Sequence, residues 1–217
     1  MCGWSLSVIE RLRPWSSLQG LLRLLVFSAL AFSHGLAPAA DIVQFKIERV
    51  EDGIALSSQL QFELPPVVED ALLKGIPLFF VYEADTYRDR WYWTDPRVAS
   101  AARTIRLAYQ PLTRRWRVNI ASGVIGSSGG LRASLNQNYD TLTEALTGIQ
   151  KLSRWKFADN TDLVTDNAYR VEFSFRLDLS QLPRPFQIGV AGQSDWAIAS
   201  QLKERIRPEL LQAEPAR

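Results

Sequence analysis

Alternation of apolar and polar residues dominates the chain from Asp41 onward and predicts β-strands, because successive side chains of a strand point to opposite faces. The clearest case is YRVEFSFRLDL, which begins at Tyr169 and has an apolar or aromatic residue at nearly every second position. Similar alternation occurs over residues 43–47, 54–64, 105–109 and 116–120. Asp52-Gly53 separates the first two of these runs and predicts a hairpin turn.

Two short segments have the period of an amphipathic helix instead. LPPVVEDALLKG has Pro66 where a first helical turn tolerates proline and Gly75 where helices commonly end. TLTEALTGIQKLSRW begins with Thr141 and Glu144 at the spacing of a capping box. Its apolar residues form a single stripe: Leu142, Ala145, Leu146, Ile149 and Leu152. The predicted fold is therefore mainly β, an antiparallel β-sandwich, immunoglobulin-like in outline, with two short helices packed on it.

The first 39 residues have the composition of a secretory signal peptide. Basic residues precede the apolar run LLVFSALAF, and small residues at Ala37 and Ala39 follow it, which is the order that signal peptidase recognises. We expect cleavage near Ala39 and a periplasmic location. The alternative is an anchor in the inner membrane formed by residues 18–36, although the apolar part is shorter than the roughly 20 residues that span a bilayer.

Cleavage would remove several chemically distinctive side chains. The chain has a single Cys, a single Met and a single His, and all three precede the expected cleavage site. A sandwich domain over residues 40–202 therefore has no thiol or imidazole for a Ser-His-Asp triad, a Cys-His pair or a Cys/His zinc site. We expect no catalytic residues, no metal and no cofactor. Residues 203–217 are charged and are predicted to form a polar C-terminal tail.

Charge limits the class of partner. The whole chain has 25 Lys and Arg against 23 Asp and Glu, and three of these bases and one acid lie in residues 1–39. The exported part is thus close to neutral and lacks the basic surface of a nucleic-acid binder. We expect no nucleic-acid partner, and contact with the membrane only through an uncleaved leader.

The stretch YEADTYRDRWYWTDP, from Tyr82 to Pro96, is rich in aromatic residues. One interpretation is that these aromatics plug the end of the sandwich, since a tryptophan buries a large area. The other is that they form an exposed platform for an envelope protein or peptide, because Trp, Tyr and Arg concentrate binding energy. The platform residues would be Arg90, Trp91, Tyr92 and Trp93.

Two other features have both a structural and a functional interpretation. QLPRPFQ, residues 181–187, contains two prolines and predicts an extended loop that presents Arg184 and Phe186, either as a crossover between sheets or as a docking loop. Glu83 and Asp85 share one face of a predicted strand and could be the acid and base of a glycosidase. A solvated sheet edge explains this pair of carboxylates equally well.

Several segments resemble, in order and spacing, the exported proteins grouped as domain of unknown function 4390. They are LPPVVEDALLKGIPLFFVYEAD, RWYWTD, LAYQPLTRRWRV, TLTEALTGIQKLSRWKFAD and YRVEFSFRLDLSQLPRPFQI. Members are typically small exported proteins of Gram-negative bacteria, often encoded near a sensor kinase of the nitrogen-regulation type. The resemblance implies a link to envelope signalling and supplies no activity, cofactor or catalytic residue.

These observations lead to two functional hypotheses. The first is an exported, non-enzymatic binding protein of the cell envelope whose partner is a protein or peptide. The alternative is a glycan-acting hydrolase that uses Asp and Glu alone.

Overall fold

Two antiparallel sheets of unequal width form the protein. The computed structural model describes residues 40–90, 94–124, 132–164, 167–190 and 193–212, which belong to one unit, Ala37–Arg217. The strands in this part of the chain are β1 (Asp41–Val50), β2 (Gly53–Gln61), β3 (Leu78–Arg88), β4 (Arg97–Gln110), β5 (Arg115–Ser122), β6 (Arg132–Tyr139), β7 (Lys151–Asp159), β8 (Tyr169–Leu177) and β9 (Ala199–Ile206).

The small sheet has the strand order β1-β2-β7, and the large sheet has the order β6-β5-β4-β3-β8-β9. All pairs of neighbouring strands are antiparallel. The predicted mainly β, antiparallel sandwich is confirmed. The Asp52-Gly53 hairpin also forms, and Gly53 is required there because a Cβ would lie 2.0 Å from the carbonyl oxygen of Ala158.

The core lies between the small sheet and the central strands β3 and β8. Alternate residues of these strands point inward, and the rings of Phe80 and Phe175 stack with centroids 5.8 Å apart. Phe62, which follows β2, reaches both rings at 5.6 and 5.1 Å. Phe80 and Phe175 are fully buried. Each such side chain contributes about 1.5–3 kcal/mol through burial, so this aromatic cluster is a major source of stability.

Four α-helices accompany the sheets in the described residues: α1 (Pro66–Leu73), α2 (Leu142–Gln150), α3 (Arg184–Val190) and α4 (Pro208–Gln212). The two predicted helices correspond to α1 and α2. After α1, Gly75 adopts a φ of 84°, and the amides of Gly75 and Ile76 donate to the carbonyls of Leu72 and Ala71. This is the Schellman arrangement, which explains the glycine at the end of the helix.

Helix α2 ends earlier than its apolar stripe predicts, because Leu152 belongs to β7. That strand pairs with β2 through two register shifts, and Arg154 within it has a left-handed φ of 44°. A bulge of this kind interrupts the two-residue period. The sequence of β7 therefore matched a helical period instead.

The prediction of an extended loop over residues 181–187 is wrong, because α3 begins at Arg184. The amide of Phe186 donates to the carbonyl of Pro183 at 2.8 Å, and the side chain of Gln187 donates to the carbonyl of Leu182 at 2.7 Å. Proline is compatible with the first turn of a helix, where the amide hydrogens have no partner within the helix. The two prolines thus start a helix instead of preventing one.

The predicted boundary of the polar tail at residue 203 is also wrong. Strand β9 continues through Lys203 to Ile206, and α4 follows with Leu211 buried. Arg49 donates to the carbonyls of Leu210 and Leu211 at 3.1 Å each, which fixes the end of α4 to β1. Two apolar residues among many charged ones are sufficient to order this segment.

No helix among the described residues has the length and apolarity needed to cross a membrane. The expected signal peptide and its alternative, the anchor at residues 18–36, lie outside the described part of the chain.

Candidate functional site

The inner face of the large sheet is wider than the small sheet that packs on it. The small sheet covers the central strands, where Phe45 of β1 contacts Phe173 of β8 with ring centroids 5.3 Å apart. Strands β5 and β6 are covered instead by helix α2. Because one helix is narrower than a pair of strands, apolar residues of the inner face remain accessible there: Leu135 of β6, which pairs with Ile120 of β5, is 57% exposed.

An open groove, here called the α2 groove, lies between α2 and this accessible face. Its volume is about 700 Å³. The large sheet contributes Arg103, Ile120, Gln137 and Tyr139. Helix α2 contributes Thr143, Glu144, Thr147 and Gly148, and β7 contributes Lys151 and Ser153. The volume lies within the range of about 300–1,000 Å³ that is typical of ligand sites.

Local sequence features fix the two walls of the groove. The side chain of Thr141 accepts a hydrogen bond from the amide of Glu144 at 3.2 Å and caps the start of α2, as the capping-box spacing predicts. At Gly148, a Cβ would lie 2.5 Å from the hydroxyl oxygen of Tyr139, so glycine allows that ring to lie against the helix. The Tyr139 hydroxyl donates to the side chain of Gln137 at 2.7 Å.

The buried Tyr82 of β3 binds the C-terminal end of α2. Its hydroxyl donates to the carbonyl oxygen of Ile149 at 2.5 Å, and Tyr82 is fully buried in the core. Burial raises the pKa of this hydroxyl, so it stays a donor at any pH the protein encounters. The position of α2 over the sheet therefore depends on a polar bond as well as on packing.

Arg103 is the unusual residue of the α2 groove. It lies on the inner face of β4 opposite Tyr82, and its guanidinium carbon is 5.4 Å from the centroid of the Trp155 ring. No ion pair formed by the described residues involves Arg103. Burial lowers the pKa of its guanidinium, which nevertheless stays charged at neutral pH. The groove therefore contains a positive charge whose contact is an aromatic face.

Arg170, on the outer face of β8, is in the opposite situation. It donates to Asp89 at 2.9 Å, to Glu172 at 3.3 Å and, over a short contact, to Asp95. These carboxylates raise the pKa of its guanidinium, whereas the pKa of Arg103 is lowered. The comparison indicates that Arg170 has carboxylate partners, whereas Arg103 forms no ion pair with the part of the chain that the structure describes.

The network around Arg170 holds both ends of the predicted aromatic platform. Arg90 is exposed, and its amide donates to the side chain of Asp95 at 2.8 Å. Before it, the amide of Asp89 donates to the carbonyl of Ala168 at 2.9 Å. Trp91, Tyr92 and Trp93 lie outside the described residues, so neither interpretation of the aromatic segment is tested. These bonds hold the described residues on either side of the segment.

The other two predicted site residues lie on α3. Arg184 is exposed, and Phe186 is 37% exposed beside α1. Phe186, Val67 of α1 and the buried Trp196 line a second, smaller groove of about 260 Å³. The structure thus places Arg184 and Phe186 together on one helix, away from the α2 groove.

The suggested glycosidase pair lies on the outer face of β3, and both carboxylates have arginine partners. Glu83 accepts two hydrogen bonds from Arg176, the longer of them at 3.2 Å, and Asp85 lies 3.5 Å from Arg97. Among the described residues, no group of three or more His, Cys, Asp or Glu side chains could hold a metal ion.

Sequence reasoning did not identify the α2 groove, although one signal was present. Arg103 has the same parity as Ile105 and Leu107, so the period-two pattern of β4 places a charged residue on the apolar face. A charge at such a position needs a partner or a role. The remaining groove residues come from β5, β6, β7 and α2, and no local pattern predicts how these elements pack together.

Fold and site together define a two-sheet antiparallel β-sandwich with an open lateral groove. The family model described as domain of unknown function (DUF4390) matches residues 37–205. The chain belongs to this family, which confirms the resemblance seen in the sequence. No curated protein and no solved structure matches the chain.

Proposed function

We propose that this protein is an exported, non-enzymatic binding protein of the cell envelope, and that the α2 groove holds a segment of a partner protein or peptide. The observation that carries the proposal is the accessible inner face of β5 and β6. Leu135 is 57% exposed on the face that the sandwich normally buries, and Ile120 and Tyr139 beside it are only partly covered. Accessible apolar surface next to a formed groove is typical of interaction sites.

The proposed location and class of partner rest on the sequence. The composition of residues 1–39 supports export, and the near-neutral charge of the remainder supports a protein partner over a nucleic acid. The proposed link to envelope signalling comes from the genes that commonly neighbour those of the family. This proposed link concerns the signalling process in which the binding would take part. It does not concern the α2 groove itself.

The alternative, a glycan-acting hydrolase, has less support in the geometry. A glycosidase needs one carboxylic acid with a raised pKa facing a second carboxylate across a substrate cleft. Glu83 and Asp85 instead lie beside each other along one strand, each next to an arginine. Two carboxylates on one strand, each paired with an arginine, do not form the facing pair that a glycosidase needs.

Photo-crosslinking in intact cells tests the proposal. A photoreactive amino acid replaces Leu135, on the accessible sheet face beside the α2 groove, and in a matched control it replaces Leu112, which is 101% exposed in the β4–β5 turn. We expect the chain in the periplasmic fraction, and an adduct of defined mass from position 135 but not from position 112. Mass spectrometry of the adduct identifies the partner.

A blocking variant links the adduct to the groove. Thr147→Trp adds a large side chain to the groove wall, whereas Thr113→Trp adds it to an exposed turn. The adduct should disappear in Thr147→Trp and persist in Thr113→Trp. Equal adducts from positions 135 and 112, or recovery of the chain from the cytoplasm, would contradict the proposal. An adduct from position 92 but not from 135 would move the site to the predicted aromatic platform.

A further inference from the structure

The charges that line the α2 groove do not balance. Arg103 and Lys151 are basic, and Glu144, exposed in the first turn of α2, is the acid among the lining residues. Arg103 is half-buried, whereas Glu144 and Lys151 are exposed, so Arg103 carries the least solvated of these charges. A poorly solvated guanidinium without a carboxylate interacts strongly with an anion that enters the groove.

The Trp155 ring pre-orients Arg103 for such an anion. A guanidinium over an aromatic face keeps its plane and its N–H groups in a defined direction, so less conformational entropy is lost when a ligand binds. The fork of N–H donors matches the two oxygens of a carboxylate. Arg176 already makes this kind of paired contact with Glu83 within the same sheet, from Nη1 and Nη2 to the two carboxylate oxygens.

Resting on the proposed function above, we infer that the α2 groove recognises a peptide segment in which one carboxylate is flanked by apolar residues, with the carboxylate bound by Arg103. The flanking residues would lie against Ile120 and Tyr139 in the groove and against Leu135 on the sheet face beside it. A phosphate group fits the groove less well, because it presents three acceptor oxygens and nearly two negative charges to a single guanidinium and one exposed lysine.

The neutral polar residues of the groove favour a peptide over an acyl chain. Gln137, Thr143, Thr147 and Ser153 carry amide or hydroxyl groups along its walls. Because the carbonyl oxygen of Gln137 accepts from Tyr139, its amide nitrogen is left to donate to a ligand. Peptide groups can satisfy such donors and acceptors, whereas an acyl chain would cover them without a hydrogen bond, at a free-energy cost.

Selection of peptides on the folded full chain tests the inference without assuming a partner. Random heptapeptides displayed on phage are selected, and the enriched peptides are synthesised with a fluorescent label. We expect them to share one Asp or Glu among apolar residues. Changing that residue to Asn or Gln should weaken binding by about 10- to 100-fold in fluorescence anisotropy, because a charge-assisted hydrogen bond is lost. This comparison uses only the unmodified protein.

Variants then assign the effect to Arg103. In Arg103→Gln, acidic and amide forms of each peptide should bind with the same affinity, and Arg103→Lys should restore part of the preference. Circular dichroism confirms that both variants fold. A preference for the acidic peptide that persists in Arg103→Gln would overturn the role of Arg103.

The remaining outcomes separate this inference from the proposed function. The enriched peptides could lack an acidic residue and still lose binding in Thr147→Trp. That result would overturn the recognition of a carboxylate, and the proposal that the groove binds a peptide would stand. Displacement of every enriched peptide by dodecanoate would overturn the peptide in favour of an acyl chain. If no peptide is enriched, the peptide inference fails, and the crosslink from position 135 decides separately whether the groove binds a partner.

Discussion

The two halves of the large sheet's inner face differ in how they are covered, although they belong to one continuous sheet. On β3 and β8, the small sheet buries a cluster of aromatic rings from which water is excluded. On β5 and β6, helix α2 leaves a groove of about 700 Å³ and a leucine that is 57% exposed. The first half has the properties of a core, and the second has those of a surface that a partner completes.

The arginines of the sheet show the same difference. Arg170 and Arg176, on the outer face, have carboxylate partners, and those partners raise the pKa of each guanidinium. Arg103, at the border of the two inner halves, has an aromatic ring instead, and burial lowers its pKa. If an arginine at a half-buried site had a purely structural role, a carboxylate partner within the chain would be favoured, because an unpaired buried charge destabilises the fold. The comparison therefore places the stabilising contacts in the covered half and the proposed binding surface in the open half.

The largest expected effect comes from a cavity in the covered half. Phe175→Ala removes a fully buried ring that lies 4.9 Å from Tyr82 and 5.1 Å from Phe62, and it should lower the free energy of unfolding by about 3–5 kcal/mol. Leu135→Ala, in the open half, should change it by no more than about 0.5 kcal/mol, because that side chain is mostly in water. Urea unfolding followed by circular dichroism measures both. Similar losses from the two substitutions would show that the open half is part of the core.

A smaller effect is expected where the two halves meet. Tyr82→Phe removes the hydrogen bond to the carbonyl of Ile149 and leaves that buried oxygen without its partner, which should cost about 1–3 kcal/mol. Tyr139→Phe is the matched control, because its hydroxyl bonds to the half-exposed Gln137 and water can replace it. Hydrogen exchange should become faster in α2 for Tyr82→Phe. Unchanged exchange in α2 would mean that packing alone holds the helix.

The covered half was largely predictable from the sequence and the open half was not. Period-two alternation in β8 is strong because one face of the strand is buried in the core and the other is only partly buried. Strand β6, from RASLNQNY, lies at the edge of the sheet and contains few apolar residues, so its sequence gives only a weak strand signal. In β7, the bulge at Arg154 concealed the alternation. Most residues that line the groove come from these two strands and α2, which explains why they were missed.

Prediction of the site also depended on what kind of signal a binding residue gives. Clustered aromatics at Trp91–Trp93 are conspicuous in a sequence, whereas a single Arg103 on an apolar face is not. The importance of Arg103 follows from its contact with an aromatic ring and from the lack of an ion pair to it among the described residues, and both become visible only when strands β3, β4 and β7 are assembled around it. Arg184 and Phe186 were predicted to lie in a loop because two prolines usually interrupt regular structure. In this chain the two prolines occur where helix α3 begins.

The smallest expected effect concerns pH and the outer face. Hydrogen bonds from the Arg170 side chain and the Arg90 amide lower the pKa of Asp95. A carboxylate whose pKa is lower in the folded state stabilises the fold above the pKa of the unfolded chain, about 3.9, and loses this contribution as pH falls through the folded value. Asp95→Asn should therefore reduce the free energy of unfolding near pH 7, and its difference from the unmodified protein should shrink below about pH 4.

The matched control is Asp140→Asn, which also removes one exposed carboxylate but leaves the Arg170 network intact. Urea unfolding at a series of pH values between 7 and 3 measures the two variants against the unmodified protein. Equal pH dependence in both would mean that Arg170 does not stabilise the fold through Asp95. Arg170 would then keep Asp89 and Glu172 as its carboxylate partners, and the contrast with Arg103 would rest on those two ion pairs.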